Sequence, residues 1–410
     1  MSNSRSSRLL PLVLALTSVG VLNFAILIPA LPEMADALNV SRSVIGVIQG
    51  AAAFPGVVLA VFIGHIADLR GRRFVAVWAL LLYGISGIFG FWVNSFWVLV
   101  ATRIVQGAGA AAILGLAVMI IGDSYSEIHE RRRALGINAA VLTSTAVLSP
   151  VLGGFLASGG VNRPFLAFGI ALPLAWFARK FPGHEAMKDP GPIFGHIKAM
   201  FVSLTQRERI SDFLGLLPFT AVTTLLLNGA GFTATPIFLE EVFDIDTVGR
   251  GIIQSFPAVG SVIASLLSAS LVRRHGPTFV LRGAFIFVTF GFIVVANAPI
   301  VGFVPLGLII VGLGFGTLFP LLSEFATSAP GNSHRGVAVA IWMASLRLGQ
   351  TVGPVFGTIL VTQMGGRFLY WLTAIVFVFI LFAWIPLRRM AQNWAIRRKP
   401  LEGRGESFFS

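Results

Sequence analysis

The sequence predicts an all-α membrane protein in which twelve transmembrane helices form two pseudo-symmetric six-helix bundles. Three observations support this fold class. First, 56% of the 410 residues are hydrophobic and only 11% are charged, whereas roughly a quarter of the residues in soluble domains are charged. Second, apolar stretches of about 20 residues, long enough to cross a hydrocarbon core of ~30 Å, recur along the chain. Third, the basic residues fall unequally on alternate loops.

The apolar stretches give twelve predicted spans, of which the sixth is the shortest. The first span is too long for a signal peptide and lacks the small-residue cleavage pattern, so we interpret it as a membrane helix. The spans cover about residues 9–30, 43–66, 74–93, 96–121, 134–158, 164–178, 211–239, 251–272, 278–297, 299–323, 336–362 and 368–387.

The distribution of charge predicts the orientation. When the loops are assigned alternately to two sides, 23 of the 30 Lys and Arg residues lie on the side that holds both termini, and four lie on the other side. Basic loops stay in the cytoplasm, so we expect both termini there, in a multi-pass protein of the inner (cytoplasmic) membrane. The net charge of +13 therefore reflects topology, and we expect no nucleic-acid partner.

A polar interruption divides the chain into two halves. It contains several Pro and Gly residues followed by an amphipathic stretch from Ile193 to Leu204, which predicts a cytoplasmic linker with a short helix on the membrane surface. The predicted units are a six-helix bundle over residues 1–180, the linker over 181–210, a second six-helix bundle over 211–390 and a cytoplasmic tail over 391–410.

Two arginines lie inside apolar stretches with no carboxylate at similar depth. Arg103 shares a helix face with Gln106, and Arg347 precedes Gln350 by about one turn. A charge in hydrocarbon costs several kcal/mol, so such residues usually face the interior of a bundle or a water-filled cavity. The predicted lining of this polar path is Asn23, Arg103, Gln106, Asn228, Arg347 and Gln350.

The loop between the second and third spans carries the most specific motif. Its sequence from Gly64 to Arg73, Gly-His-Ile-Ala-Asp-Leu-Arg-Gly-Arg-Arg, resembles the signature loop of the major facilitator superfamily. The glycines permit a tight turn. The resemblance implies a cytoplasmic latch that closes while the central cavity faces outward. The latch residues are Gly64, Asp68, Arg70, Gly71, Arg72 and Arg73, with Asp123 as a partner.

The fifth span carries a second motif, which is partly repeated in the eleventh. Ser149-Pro150-Val151-Leu152-Gly153-Gly154 resembles a motif of the superfamily's efflux antiporters. A proline removes a backbone hydrogen bond and glycines lower helix stiffness, so both spans are expected to bend. The predicted bend residues are Pro150, Gly153, Gly154, Pro354 and Gly357. Internal repeats of this kind place a substrate path between the two halves.

These resemblances imply a secondary active transporter that works by alternating access. The stretch Arg103–Gly107 resembles a motif of proton-coupled members, and Ile28–Met34 resembles the same region of drug–proton antiporters. Two embedded cations without an acid favour neutral or anionic compounds over cations. We therefore expect efflux of a neutral or anionic amphipathic organic molecule against protons. Uptake or exchange of an organic anion is one alternative, and a transporter-like receptor or scaffold is another.

Proton coupling rests on the resemblance, because the predicted spans hold no acid at mid-depth. The nearest acids lie at the interfaces; solvated helix ends are the preferred interpretation of Glu33 and Glu240, and carboxylates that extend into the outer cavity are the alternative. The sequence has no phosphate-binding Gly-rich loop with a following Lys, no cysteine and no histidines at metal-ligand spacing. We therefore expect neither an enzyme nor a cofactor or metal. The expected partners are a small-molecule substrate, the proton and the lipid bilayer, with the chain acting as a monomer.

Overall fold

The computed structural model describes residues 3–125, 127–179, 193–206, 210–328 and 335–382, and within these residues every regular element is a helix. The α-helices are α1 (Asn3–Ala25), α2 (Leu31–Ala37), α3 (Gly46–Arg70), α4 (Arg72–Phe89), α5 (Phe96–Ser124), α6 (Ile128–Ser158), α7 (Ala171–Ala178), α8 (Ile193–Gln206), α9 (Ile210–Leu226), α10 (Thr235–Phe243), α11 (Thr247–Ile253), α12 (Phe256–His275), α13 (Pro277–Ala296), α14 (Phe303–Ser328), α15 (Arg335–Met364) and α16 (Gly366–Phe382). Short 3₁₀ segments occupy Ile28–Ala30, Gly90–Trp92 and Arg163–Ile170, and a π-helical segment occupies Leu227–Thr233.

The lengths and composition of the helices are those of a multi-pass membrane protein. Eight helical segments of the described chain are long and apolar enough to cross a membrane. They are Leu9–Ala37, Arg72–Trp92, Phe96–Gly122, His129–Ser158, Phe213–Phe243, Thr247–His275, Pro277–Ala296 and Phe303–Ala326. Three shorter apolar helices, Gly46–Leu59, Arg163–Ala178 and Gly366–Phe382, accompany them. The helix α8 lies where the amphipathic pattern predicts one.

The first membrane segment is a broken helix. α1 ends at Ala25, and a 3₁₀ turn then leads into α2. Pro29 has no N–H to donate to the carbonyl of Ala25, and its ring crowds the preceding turn, so a regular α-helix cannot continue here. The break leaves the last carbonyls of α1 without their usual helical donors.

A segment of the second half is broken in a similar way. α9 changes at Leu227 into the π-helical stretch, and Pro236 lies at the start of α10. The proline again cannot donate to the residue four positions earlier, Phe232, and the wider π-turn alters the carbonyl pairing further. Each half therefore begins with a discontinuous helix.

The two halves, residues 3–179 and 210–382, repeat parts of their packing. Each matching residue of the second half follows its counterpart in the first half by the same number of positions. Gly71 follows α3 with φ 82°, and Gly276 follows α12 with φ 81°, values in the left-handed region that glycine adopts without strain. At the same offset, Gly109 of α5 and Gly314 of α14 each lie against a backbone carbonyl, of α4 and α13 respectively. The repeat that the sequence shows only weakly is therefore a repeat of helix contacts.

The halves meet mainly along two helix pairs, α3 with α15 and α6 with α11. A Cβ at Gly46 or Gly50 of α3 would collide with a backbone carbonyl of α15. Farther along α3, a Cβ at Gly64 would have Met119 of the same half as its neighbour, and a Cβ at Gly136 of α6 would meet no atom within 4 Å. The halves are therefore packed together at the end that holds α2 and α11, whereas a Cβ at Gly64 or Gly136 would have no neighbour from the other half within 4 Å.

Candidate functional site

The break at the end of α1 exposes two backbone carbonyls, and side chains of two other helices bind them. Arg103 of α5 donates from Nη2 to the carbonyl of Asn23 at 2.9 Å. Gln49 of α3 donates from Nε2 to the carbonyl of Phe24. These bonds replace the helical donors that the break removes, so the polar side chains hold the broken end in one geometry.

Arg103 is fully buried inside the first half. Its Nη1 donates to Oε1 of Gln106, and its Cζ lies 5.5 Å from the centroid of the Phe168 ring, a cation–π distance. No carboxylate among the described side chains pairs with it. In this conformation Arg103 and Gln106 thus support the end of α1 from within the bundle and do not face open space.

Arg347 reaches from the second half to the first. Its Nη1 donates to Oε1 of Gln350 at 2.9 Å, and its Cζ lies 4.9 Å from the centroid of the Phe24 ring. A Cβ placed on Gly56 of α3 would lie 3.0 Å from Cδ of Arg347. The guanidinium therefore lies at the seam between the halves, beside the same broken end that Arg103 supports from the other side.

The second broken helix has matching polar contacts. Gln254 donates from Nε2 to the carbonyls of Gly231 at 3.1 Å and Phe232 at 3.2 Å. Asn228, within the π-helical segment, donates from Nδ2 to the carbonyl of Thr224 at 2.8 Å. The number of residues that separates Gln254 from Gln49 is the same as the number that separates Asn228 from Asn23. Sequence reasoning missed Gln254, although this constant offset was a signal that could have identified it.

Several buried polar atoms at the first break have no hydrogen-bond partner within the described chain. They are both side-chain atoms of Asn23 and Oε1 of Gln49. Buried polar groups of folded proteins are normally paired, so unpaired ones need an explanation. The first break thus retains hydrogen-bonding capacity that a ligand or a water molecule can satisfy.

A network of ion pairs joins the halves at the end that holds α2 and α11. Arg250, which is only 1% exposed, donates to Glu33 of the first half and to Glu240 of the second half, the latter at 3.0 Å. Arg42 of the first half also binds Glu240, at 2.9 Å. Thr247 donates its hydroxyl to Glu33. One buried guanidinium thus binds carboxylates of both halves.

This network corrects the interpretation of Glu33 and Glu240 as solvated helix ends, because both carboxylates are ion-paired. Partial burial opposes the charge of Arg42, but the neighbouring carboxylates of Glu240 and Asp36 outweigh it and raise the pKa of Arg42 above its ordinary value. Sequence reasoning missed the role of Arg250, which it assigned to a loop. The flanking glycines of Gly249-Arg250-Gly251, which permit close helix contact, were the available signal.

The predicted bend residues make close helix contacts. Pro150 and Pro354 lie inside the continuous helices α6 and α15. A Cβ at Gly153 would meet a carbonyl at the break of α1, one at Gly154 would lie 2.6 Å from a carbonyl of α11, and one at Gly357 would lie 2.5 Å from a carbonyl of the π-helical segment. Packing therefore explains these glycines, and bending at these positions stays a prediction.

The predicted latch loop forms the tight turn expected of it. Gly71 is the single residue between α3 and α4. Arg72 donates from Nη1 to the carbonyl of Met119 in α5 at 2.7 Å, so it fastens the turn to a neighbouring helix. Gly64 is partly buried, with the side chain of Met119 as its neighbour.

The remaining latch residues are not brought together by any described contact. Arg70 and Arg73 are exposed. The side chains of Asp68 and Asp123 lie outside those that the structure describes. The pairing expected of the latch therefore stays a prediction.

Comparisons with known proteins agree with this architecture. The family model described as Major Facilitator Superfamily matches residues 13–338. Multidrug resistance protein 2 of Bacillus subtilis (strain 168) is 25% identical over 361 residues, which are 83% of this chain and 86% of that protein. Quinolone resistance protein NorA of Staphylococcus aureus (strain MRSA252) is 26% identical over 168 residues, which are 41% of this chain and 43% of that protein.

Solved structures show the same fold. The crystal structure of the human organic anion transporter MFSD10 (TETRAN) matches with a TM-score of 0.69 at 17% identity, over 92% of this chain and 99% of that one. The family predicted from the signature loop is thus confirmed. The chain belongs to the Major Facilitator Superfamily and is a membrane transporter, not an enzyme.

Proposed function

We propose that the chain is a secondary active transporter that works by alternating access, with twelve spans in two six-helix halves and both termini in the cytoplasm. The unequal basic loops support this orientation, and the broken helix at the start of each half supports the two-half arrangement. In this orientation the α3–α4 turn faces the cytoplasm, and α2, α10 and α11 lie at the outer end.

The ion pairs of Arg250 are the observation that carries this proposal. They join Glu33 of one half to Glu240 of the other at the proposed outer end, while a Cβ at Gly64 or Gly136 would have no neighbour from the other half within 4 Å. This arrangement is that of an inward-facing state with a closed outer gate. A transporter alternates between two discrete arrangements of its halves. A contact that forms in only one arrangement stabilises that arrangement and so contributes to the difference in free energy between the two.

The proposed substrate is a neutral or anionic amphipathic organic molecule, and the proposed direction is efflux. Arg347 has several N–H donors beyond the one that binds Gln350, and an anion can accept from them. The ring of Phe24 lies beside it, and Asn23, the residue before Phe24, has an unpaired buried amide. Arg103, being buried, is proposed as a positioning residue for the end of α1. The names of the relatives, which are drug resistance proteins, support efflux.

Protons are the proposed coupling ion, and the outer gate is the proposed place of coupling. The carboxylates of Glu33 and Glu240 form the ion pairs that join the halves there. The charged groups that face them are Arg42, Arg250, Asp36 and Glu241. Since the pKa of Arg42 is raised, its guanidinium stays charged beside these carboxylates.

The cytoplasmic latch is proposed to close when the outer gate opens. Asp68→Asn is then expected to slow conformational cycling and to leave substrate binding largely intact, since the α3–α4 turn lies at the opposite end from the outer gate. Loss of binding without any change in the accessibility of inward- and outward-facing cysteine probes would contradict this role.

Reporter fusions test the topology. Fusions after Gly160, Ala298 and Gly366 should report an outside location, and fusions after Gly183 and Pro400 should report an inside location. An inside signal at any of the first three positions would contradict the arrangement of spans.

Transport by the purified protein in proteoliposomes tests the activity. Imposed pH or sodium gradients should be combined with anionic, neutral and cationic compounds. We expect a pH gradient to drive movement of neutral or anionic compounds. Uptake of an organic anion in the opposite direction would favour the alternative function, and ligand binding without counterflow would identify a receptor. Transport that does not depend on pH would show that the proton is not the coupling ion, and the chain would then be a facilitator or an exchanger.

A further inference from the structure

The turn between α3 and α4, whose Arg70 and Arg73 also belong to the proposed latch, forms one wall of a basic surface pocket. It is an open pocket of about 520 Å³ between this turn and the end of α7. Six of the residues that line it define the arginine pocket: Arg70, Arg73, Phe74, Val77, Trp78 and Arg179.

Three exposed arginines line the pocket, and none of the described residues that line it is acidic. Among the side chains that the structure describes, no acid forms an ion pair with Arg70, Arg73 or Arg179. Three like charges held close together repel one another unless an anion lies between them. Arginine forks match phosphate oxygens in pairs, which makes this group suited to a phosphate.

Aromatic rings hold two of these arginines in place. The Cζ of Arg70 lies 5.6 Å from the centroid of the Phe74 ring. The Cζ of Arg179 lies 4.6 Å from the centroid of the Trp176 ring. Both are cation–π distances, so these side chains lose less freedom when they bind an anion than unsupported arginines would.

An apolar stripe runs from the pocket along α4. The residues of this α4 stripe recur every three or four positions and are each between 41% and 58% exposed, so they form one outward face of the helix. They are Phe74, Trp78, Leu82, Ile85 and Phe89. Trp78 and Trp176 lie at the basic end of α4 and α7, where indole rings are enriched at membrane interfaces. A ligand with a phosphate in the pocket thus has an apolar track beside it.

We propose that the arginine pocket binds the phosphate of an anionic phospholipid whose acyl chain lies along the α4 stripe. The charge selects an anion, and the adjoining stripe selects a lipid over a free phosphate ion. Basic pockets at the ends of membrane helices bind anionic headgroups in this way. In the orientation proposed above, the lipid belongs to the cytoplasmic leaflet.

Native mass spectrometry of the full-length protein in detergent tests this proposal. Phosphatidylglycerol, phosphatidylcholine and inorganic phosphate would be titrated separately, and bound ligand would be counted. Phosphatidylglycerol should bind at least about tenfold more tightly than phosphatidylcholine, because both lipids have a phosphate but the choline of the second adds a positive charge that the three arginines repel. Inorganic phosphate at the same concentrations should not displace it.

The second half provides a matched control. Arg273 and Arg274 are exposed at the end of α12, before the equivalent glycine turn. Arg73→Gln with Arg179→Gln should weaken phosphatidylglycerol binding at least about tenfold, whereas Arg273→Gln with Arg274→Gln should change it less than about twofold. If the first pair of changes impairs folding, Arg73→Lys with Arg179→Lys keeps the charge and should give an intermediate loss.

Three results would overturn the proposal. Equal losses in the two double variants would show attraction by net charge alone. Equal binding of the two lipids would show that the arginines do not select the headgroup. Displacement by inorganic phosphate, without dependence on an acyl chain, would assign the pocket to a free anion. Each readout is binding, so none of them depends on transport activity.

Discussion

The broken helix of the first half and that of the second half share a scaffold but differ in charge. Both have an asparagine near the break, Asn23 and Asn228, and both have a glutamine donor to the freed carbonyls, Gln49 and Gln254. The two members of each pair are separated by the same number of residues. The residue of the second half that corresponds to Arg103 in this way is Leu308, which is fully buried.

The cations of both halves therefore converge on one break. Arg103 approaches the end of α1 from within the first half, and Arg347 approaches it from the second half. The second break has only neutral donors among the described contacts. The backbone repeat builds two similar sites, and the choice of side chains makes the first of them the one suited to a charged or polar ligand.

The first effect that the comparison predicts is on the charge of the ligand that binds. Arg347→Ala should reduce affinity for an anionic substrate about 10- to 100-fold, because it removes a charge-assisted hydrogen bond in a site of low dielectric. Substrate affinity in detergent and initial rates in proteoliposomes would measure this loss. The control is Arg282→Ala, an exposed arginine of α13, which should have little effect. Preferential transport of cations that persists in both Arg103→Ala and Arg347→Ala would contradict the arginine-based site.

The next effect concerns the support of the first break. Arg103→Leu gives the first half the residue that the second half has, and it removes the donor to Asn23 and the partner of Gln106. We expect it to lower the free energy of unfolding by about 3 kcal/mol, because hydrogen bonds from a charged donor contribute about 1.5–3 kcal/mol each. Reversible denaturation in mixed micelles would measure it. An unchanged or more stable variant would show that the desolvation cost of the arginine exceeds the benefit of its bonds.

The contact between the halves can be tested on a single helix. Gly154→Ala places a methyl group against a carbonyl of α11 and should destabilise the closed outer end by about 1–3 kcal/mol. Gly136→Ala lies on the same helix where a Cβ would meet no atom within 4 Å; it should be neutral or stabilise by up to about 1 kcal/mol. The labelling rate of an outer cysteine probe would report the difference. Equal rates in the two variants would be incompatible with close packing at Gly154.

The smallest effect distinguishes the two glutamines. Gln254 serves two carbonyls and Gln49 serves one, so Gln254→Leu should cost about 2 kcal/mol and Gln49→Leu about 1 kcal/mol, in proportion to the acceptors left unpaired. Thermal unfolding of the two variants in the same detergent would compare them. A larger loss for Gln49→Leu would show that the first break depends more on its glutamine than the contacts indicate.

Much of the fold could be predicted from the sequence, because apolar length and loop charge are local properties. The multi-pass character, the family and the turn at Gly71 follow from such signals. The matching positions of Gln49 and Gln254 in the two halves are visible in the sequence as well. Their common role can be inferred only when the breaks at Pro29 and Pro236 are known to leave carbonyls without helical donors.

The outer network could not be predicted in the same way. Whether Glu33 is solvated or ion-paired depends on how closely α6 packs on α11, and that contact joins residues far apart in the chain. The burial of Arg103 was likewise decided by packing, since periodicity gives the helix face and not the neighbour that covers it.

The most direct test of the account is whether the outer gate and the cytoplasmic side move in opposite directions. The chain has no cysteine, so spin labels can be placed at Asn94→Cys with Asn297→Cys at the outer end, and at His129→Cys with His275→Cys at the other end; all four positions are exposed. Pulsed electron paramagnetic resonance would measure both distances in the protein with Arg250 and in Arg250→Gln. We expect Arg250→Gln to lengthen the outer distance and to shorten the inner one. Distances that stay unchanged, or that lengthen together, would contradict it.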